Sequence, residues 1–130
     1  GEHGIGEEVE YSMNQAAERF GARVVEFTVA PYVEQGEGKS YHEWFVEFEE
    51  MPADMTAFTE ELNASMRKKN IYYDDLIRGN ILKPLVVTPL KRNAFIDYMR
   101  SIGKLGGQNK LPRLSNDRKI AVELEKYMAK

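Results

Sequence analysis

The chain has 130 residues, 42% of them hydrophobic and 30% charged, with a net charge of −3. This is the length and balance of one soluble globular domain able to bury its own core. It has no cysteine and two histidines, His3 and His42, which excludes a disulfide framework and thiolate metal sites and argues against a histidine-rich one. No apolar run approaches the roughly 20 residues that cross a bilayer, and no signal peptide is visible. A cytoplasmic protein that does not engage the membrane is expected.

The first element is a helix over residues 7–20. Val9, Met13, Ala16, Ala17 and Phe20 recur at three- and four-residue spacings, and Gly21 supplies a stop. A strand over 24–33 follows, with Val25, Phe27 and Val29 on one face. Pro31 cannot donate to a ladder, so the strand should end, bulge or lie at an edge there. Residues 34–38, Glu-Gln-Gly-Glu-Gly, read as a turn.

A second strand runs from about 40 to 49. His42, Trp44, Val46 and Phe48 share its apolar face, while Glu43, Glu47 and Glu49 form a face expected to be solvated. The two strands make an antiparallel hairpin. Pro52 introduces a helix to about Asn70, with Met55, Phe58, Leu62 and Met66 as its stripe and Arg67, Lys68 and Lys69 favouring its C-terminal dipole. A short helix over 72–78 precedes Gly79. Leu85, Val86 and Val87 form a third strand between Pro84 and Pro89.

Residues 92–101 read as a helix with Phe95, Tyr98, Met99 and Ile102 facing inward. After a glycine-rich stretch, Ser115 or Asn116 can cap a last helix to about Met128, with Ile120, Leu124 and Tyr127 as its stripe. The order predicts an α+β domain: a small mixed or antiparallel sheet of three to four strands, with a β-hairpin, covered by about four to five helices.

Most candidate sites have a plain structural explanation. Trp44 and His42 lie on the apolar face and are expected to pack in the core. The run Tyr72-Tyr73-Asp74-Asp75 resembles a metal or acid–base cluster, but adjacent carboxylates on a helix point apart, so helix-entry charge is the better reading. No metal site is predicted.

The exception is residues 103–114, which hold three glycines, two lysines, an arginine and a proline and no acid. Between Arg100 and Lys119 six cations face one acid, Asp117, so this segment is +5 and the remainder −8. Glycines allow close backbone approach to a ligand, and the cations mark an anion-facing surface. The spacings of a P-loop and of a dinucleotide fingerprint are absent. The chain is acidic overall, and the basic stretch is short and lacks interleaved aromatics for base stacking, so no nucleic-acid partner is expected.

Four blocks occur in an order that resembles a known family: Gly6-Glu7-Glu8-Val9, residues 41–48 (Tyr-His-Glu-Trp-Phe-Val-Glu-Phe), residues 70–77 (Asn-Ile-Tyr-Tyr-Asp-Asp-Leu-Ile) and residues 106–113 (Gly-Gly-Gln-Asn-Lys-Leu-Pro-Arg). Together they are similar to the C-terminal domain of bacterial members of the auxin-responsive promoter family, acyl acid amido synthetases of the acyl-adenylate-forming superfamily. Residues 1–5 fall outside the resemblance and are expected to be in part a cloning remnant.

The resemblance implies a two-step ligase. ATP and a carboxylic acid give an acyl-adenylate, which an amino acid amine then converts to an amide. It places ATP and Mg mainly on an N-terminal adenylating domain that precedes Gly6. The small C-terminal domain closes over that site and supplies a lysine, which the match identifies as Lys110, with Lys104 as the competitor. Gly106, Gly107 and Gln108 would let the loop enter the nucleotide site, and Arg113 would steer phosphate or anchor the loop. The loop's anionic counterpart is expected outside the chain, and the isolated domain is expected to be inactive.

At Asn109 and Leu111 the plant enzymes carry an aromatic residue and a threonine, so plant hormone substrates are not part of the expectation. The competing reading is a protein-interaction or regulatory α+β module without catalysis, using the hairpin edge and basic loop as contact surfaces.

Overall fold

In a computed structural model of the chain, described over residues 2–33, 40–104 and 110–129, helix α1 spans Glu2–Phe20. Val9, Met13 and Ala16 are its buried stripe. Gly21 closes it at φ +67°, and the Ala22 amide donates to the Ala17 carbonyl at 2.9 Å. This left-handed closure is the conformation that favours glycine.

Strands β1 (Arg23–Val33) and β2 (Ser40–Glu50) pair antiparallel, with Val29 opposite Trp44. The turn expected at 34–38 lies outside the described residues. Strand β3 (Val86–Leu90) runs parallel to β2, giving a mixed sheet of order β1-β2-β3. β3 starts and ends later than its apolar run suggested and includes Pro89. Proline is tolerated there because β3 lies at the sheet edge, where the Pro89 carbonyl accepts from the Ala129 amide at 3.0 Å.

Helix α2 (Met55–Lys69) is capped by Asp54, whose carboxylate accepts from the Ala57 amide at 3.1 Å. Helix α3 (Ile71–Arg78) is capped by Asn70, which accepts from the Tyr73 amide at 2.9 Å. Helix α4 covers Ala94–Ser101, and α5 covers Lys119–Leu124 before a single 3-10 turn, Glu125–Tyr127. The last helix therefore begins after the expected cap. Asp117 accepts from the Lys119 amide at 3.0 Å, and the residues just upstream are engaged with β1 instead.

The sheet is covered on both faces. On the first, Phe27, Val29, Trp44, Val46 and Phe48 pack with Val9 and Met13 of α1, Phe58, Leu62 and Met66 of α2, and Tyr73 of α3. On the second, Ala30, Phe45 and Leu90 pack with Phe95 and Tyr98 of α4 and with Ala121 and Leu124 of α5.

This second layer overturns the solvated face expected for β2: Glu43 and Glu47 are 8% and 4% exposed. Only Glu49 remains at the surface, paired with Arg23 at 3.0 Å. Two further expectations are corrected. Val25 does not share a face with Phe27 and Val29, because the β1–β2 register shifts between Val24 and Glu26, and the resulting bulge leaves Val25 exposed. Ile102 lies past the end of α4 and is exposed. Among the described residues no helix is long and apolar enough to cross a membrane.

Candidate functional site

The basic segment leaves α4 and returns to the sheet, and both junctions are fixed. At the start of α4, Asn93 adopts φ +68° and provides no side-chain cap. The cap comes from β2 instead. The Glu47 carboxylate accepts from the Asn93 amide at 3.0 Å through one oxygen and from the Phe95 amide at 3.1 Å through the other. A buried carboxylate thus meets the positive end of the helix dipole and satisfies two of its free donors.

At the far end, Gly103 takes φ +71°. Its amide donates to Arg100 at 3.1 Å, and the Lys104 amide donates to Met99 at 2.9 Å. This double closure needs a residue at positive φ, so the first glycine of the stretch terminates the helix. The expectations on Gly106, Gly107 and Gln108 lie outside the described residues.

The return to the sheet is held by main chain and side chain together. The Val29 amide donates to the Arg113 carbonyl at 2.8 Å, and the Ser115 amide donates to the Val29 carbonyl at 2.9 Å. The Thr28 hydroxyl donates to the Pro112 carbonyl at 2.6 Å. The two main-chain bonds form a one-residue parallel bridge, Val29 to Leu114, on the outer edge of β1. Among the described residues the sheet has three strands, and this bridge lies beside β1.

Arg113 closes the junction. It donates to the carboxylates of Glu10 on α1 and Glu26 at the β1 bulge, and to the Phe27 carbonyl at 2.6 Å. Its guanidinium lies 4.2 Å from the Phe27 ring centroid, a cation–π contact. Burial works to lower the Arg113 pKa, but its bonds to Glu10 and Glu26 outweigh that and raise it. Arg118 forms the second clamp, with Glu43 at 2.8 Å, Glu125 at 2.9 Å and the Pro31 carbonyl at 3.3 Å. Glu43 also accepts from the Thr88 hydroxyl.

The arginines therefore find anionic partners inside the chain, contrary to the expectation for the segment as a whole. Arg100 pairs with Asp97 at 3.5 Å, and Arg113 and Arg118 are clamped. The lysines differ. Among the described residues, neither Lys104 nor Lys110 has a side-chain hydrogen bond or ion pair, and both are exposed. Lys110 lines a cleft of about 400 Å³ together with Met99, Leu111, Glu10, Glu26 and Arg113.

The remaining candidates fall where packing puts them. Trp44 is 1% exposed and stacks on Phe27 at 5.7 Å. His42 stacks on Tyr73 at 5.6 Å, and burial lowers its pKa. Burial likewise raises the pKa of Tyr73, whose hydroxyl donates to Asn63. Asp74 pairs with Arg67 at 2.6 Å and Arg78 at 3.4 Å, and Asp75 with Arg78 at 3.0 Å. Among the described residues, no three histidine or carboxylate side chains are grouped to hold a metal.

The sequence leaves Glu10 and Glu26 unremarked and assigns Glu43 and Glu47 to a solvated face. The available signal was Phe45, a large aromatic on the supposedly solvated face of β2. Its presence there indicates that the face is covered, and that glutamates beside it need partners.

A family model described as the GH3 family C-terminal domain matches residues 7–119. Among solved structures, the chain is similar to a GH3.15 acyl acid amido synthetase with a TM-score of 0.72 and 17% identity, over 95% of this chain and 23% of that one. It is similar to AtGH3.15 acyl acid amido synthetase in complex with 2,4-DB with a TM-score of 0.70 and 17% identity, over 95% of this chain and 24% of that one. The chain thus spans about a quarter of the length of these structures, and the likeness to them is one of fold. No curated protein matches. The family match takes in all of the second and third blocks and the Gly-Gln-x-Lys-x-Pro-Arg element, and the chain belongs to the GH3 family as its C-terminal domain.

Proposed function

We propose that this chain is the C-terminal domain of an ATP-dependent acyl acid amido synthetase, and that it delivers Lys110 to the active site of an N-terminal adenylating domain. The observation that carries this reading is the state of Lys110 within a GH3 C-terminal domain. It is an exposed cation at the rim of a cleft, three residues before a clamped arginine and seven after a capped helix end. Arginines near it are neutralised internally, whereas Lys110 retains its charge for an incoming group.

In the first step a carboxylate oxygen of the acid attacks the α-phosphorus of ATP. The new phosphorus–oxygen bond forms as the bond to the β-phosphate bridge breaks, and pyrophosphate leaves. Negative charge gathers on the α-phosphoryl oxygens, where a lysine ammonium in a water-poor site stabilises the transition state. In the second step the amine of an amino acid attacks the acyl carbon. The carbon–oxygen bond to AMP breaks, AMP leaves with the electron pair, and the amine loses a proton.

Magnesium is implied by nucleotide chemistry of this kind. The described residues do not offer a fitting ligand set, so no step is assigned to a metal held by this domain. Lys104 lies at the other end of the loop and is the alternative source of the cation.

The test is Lys110→Ala in the full-length enzyme. Acid-dependent pyrophosphate release should fall by about 10² to 10³, the usual effect of removing one preorganised electrostatic contact, with ATP still bound. Lys104→Ala should leave the rate within a few-fold. Unchanged adenylation in Lys110→Ala would remove this residue from the mechanism.

A further inference from the structure

We propose that Glu10, Glu26 and Arg113 form a positioning unit that sets where Lys110 stands. This rests on the role of Lys110 proposed above and extends it to residues that touch neither substrate. Glu10 projects from α1 and Glu26 from the β1 bulge, and both carboxylates converge on one guanidinium. The same arginine donates to the Phe27 carbonyl at 2.6 Å and stacks on the Phe27 ring.

Its Nε and one terminal nitrogen are thereby committed inside the chain, and the side chain is directed into the domain. Its own carbonyl accepts from Val29, and the preceding Pro112 carbonyl accepts from Thr28. The segment 112–115 is therefore tied to β1 through both backbone and side chain. Lys110 lies two residues upstream of this tie and lines the same cleft as the three clamp residues.

The bulge has a part in this arrangement. The extra residue Val25 shifts the register immediately before Glu26. The Glu26 carboxylate then accepts both from the Phe27 amide, at 2.9 Å, and from Arg113. Two carboxylates against one guanidinium also leave the clamp one negative charge in excess. The lysine's home cleft is thus mildly attractive to an ammonium, which keeps Lys110 near the rim in the absence of a phosphate. Arg113 acts as a positioning residue in this scheme, and its role is to place a neighbour.

The experiment has two arms. In the 130-residue chain, Glu26→Gln and Arg113→Lys are compared with the parent by amide hydrogen exchange at Val29 and Ser115, the two amides that tie the segment to β1. Exchange at both should rise at least tenfold, while exchange in α2 stays unchanged. Unaltered exchange at Val29 and Ser115 overturns the proposal whatever the catalytic result.

In the full-length enzyme, Glu26→Gln and Glu10→Gln should lower kcat for pyrophosphate release about tenfold, with KM for ATP within twofold. In a Lys110→Ala background they should have no further effect, as groups acting through one residue are non-additive. Additive losses, or a raised KM for ATP in Arg113→Lys, would instead make Arg113 a phosphate contact and overturn the positioning role. If Lys110→Ala is itself silent, the catalytic reading fails, while the exchange arm still decides whether the clamp holds the loop.

Discussion

Replacing Glu47 by alanine should be among the most damaging single changes on the sheet, although its sequence position suggests a harmless surface site. Its carboxylate is 4% exposed and accepts from two amides at the start of α4. A hydrogen bond to a charged group contributes about 1.5–3 kcal/mol. The Asn93 amide can recover part of this from water, while the Phe95 amide sits in a buried bond and cannot. The loss should then be about 3–5 kcal/mol, a large share of the roughly 5–15 kcal/mol that stabilises a domain.

With a urea m-value of about 2 kcal/mol per molar, the midpoint should fall by about 2 M. Glu47→Gln keeps one acceptor oxygen and should lose about half as much. Glu49→Ala is the internal control. It lies two residues along the same strand, exposed, with only an exposed arginine as partner, and should change stability by less than about 0.5 kcal/mol. Urea unfolding of the three variants, with exchange followed at Phe95, checks this directly. Equal stabilities for Glu47→Ala and Glu49→Ala would refute the capping argument and restore the solvated face.

Two further outcomes follow from backbone and titration. Gly21→Ala and Gly103→Ala should each lose about 1 kcal/mol, measured by chemical denaturation. Both sites have positive φ and nothing within 4 Å of an added Cβ, so the loss comes from backbone conformation alone, and the asparagine variants should lose less. His42 has a folded pKa below its ordinary value because of burial. The unfolded chain therefore binds the extra proton, so stability is full above about pH 6.5 and declines as the pH falls toward the folded pKa. His42→Phe keeps a ring against Tyr73 and should remove this slope below about pH 6.5 in a stability–pH series. A slope identical to that of the parent would assign the titration to other groups.

Much of the fold was legible because local periodicity and packing agree. The stripes of α1 and α2 reach the core as their spacing predicts, since Val9, Met13, Phe58 and Leu62 are buried on one side of the sheet. The antiparallel pairing of β1 with β2 followed from two apolar runs close together in the sequence. The charge map of the basic segment was also correct as a count, but a count cannot say which cations are spent internally. Arg113 pairs with Glu10, 103 positions away, and Arg118 with Glu43, 75 away. Partners at such separations leave no local trace.

From sequence alone came the α+β order of elements, the family resemblance and the choice of Lys110 over its neighbours as the residue to watch. These depend on patterns within a few residues of each other or on short matched blocks. Only the tertiary structure decided that β3 runs parallel to β2, that the second face of the sheet is covered by α4 and α5, and that its glutamates are buried partners rather than solvated charges. The reason is that alternation reports the chemistry of a strand's two faces and carries no information on what packs against them. The return from the loop, residues 112–118, is tied by contacts from α1, β1 and β2, elements drawn from the first 50 residues of the chain. Folding is what brings those residues to the loop.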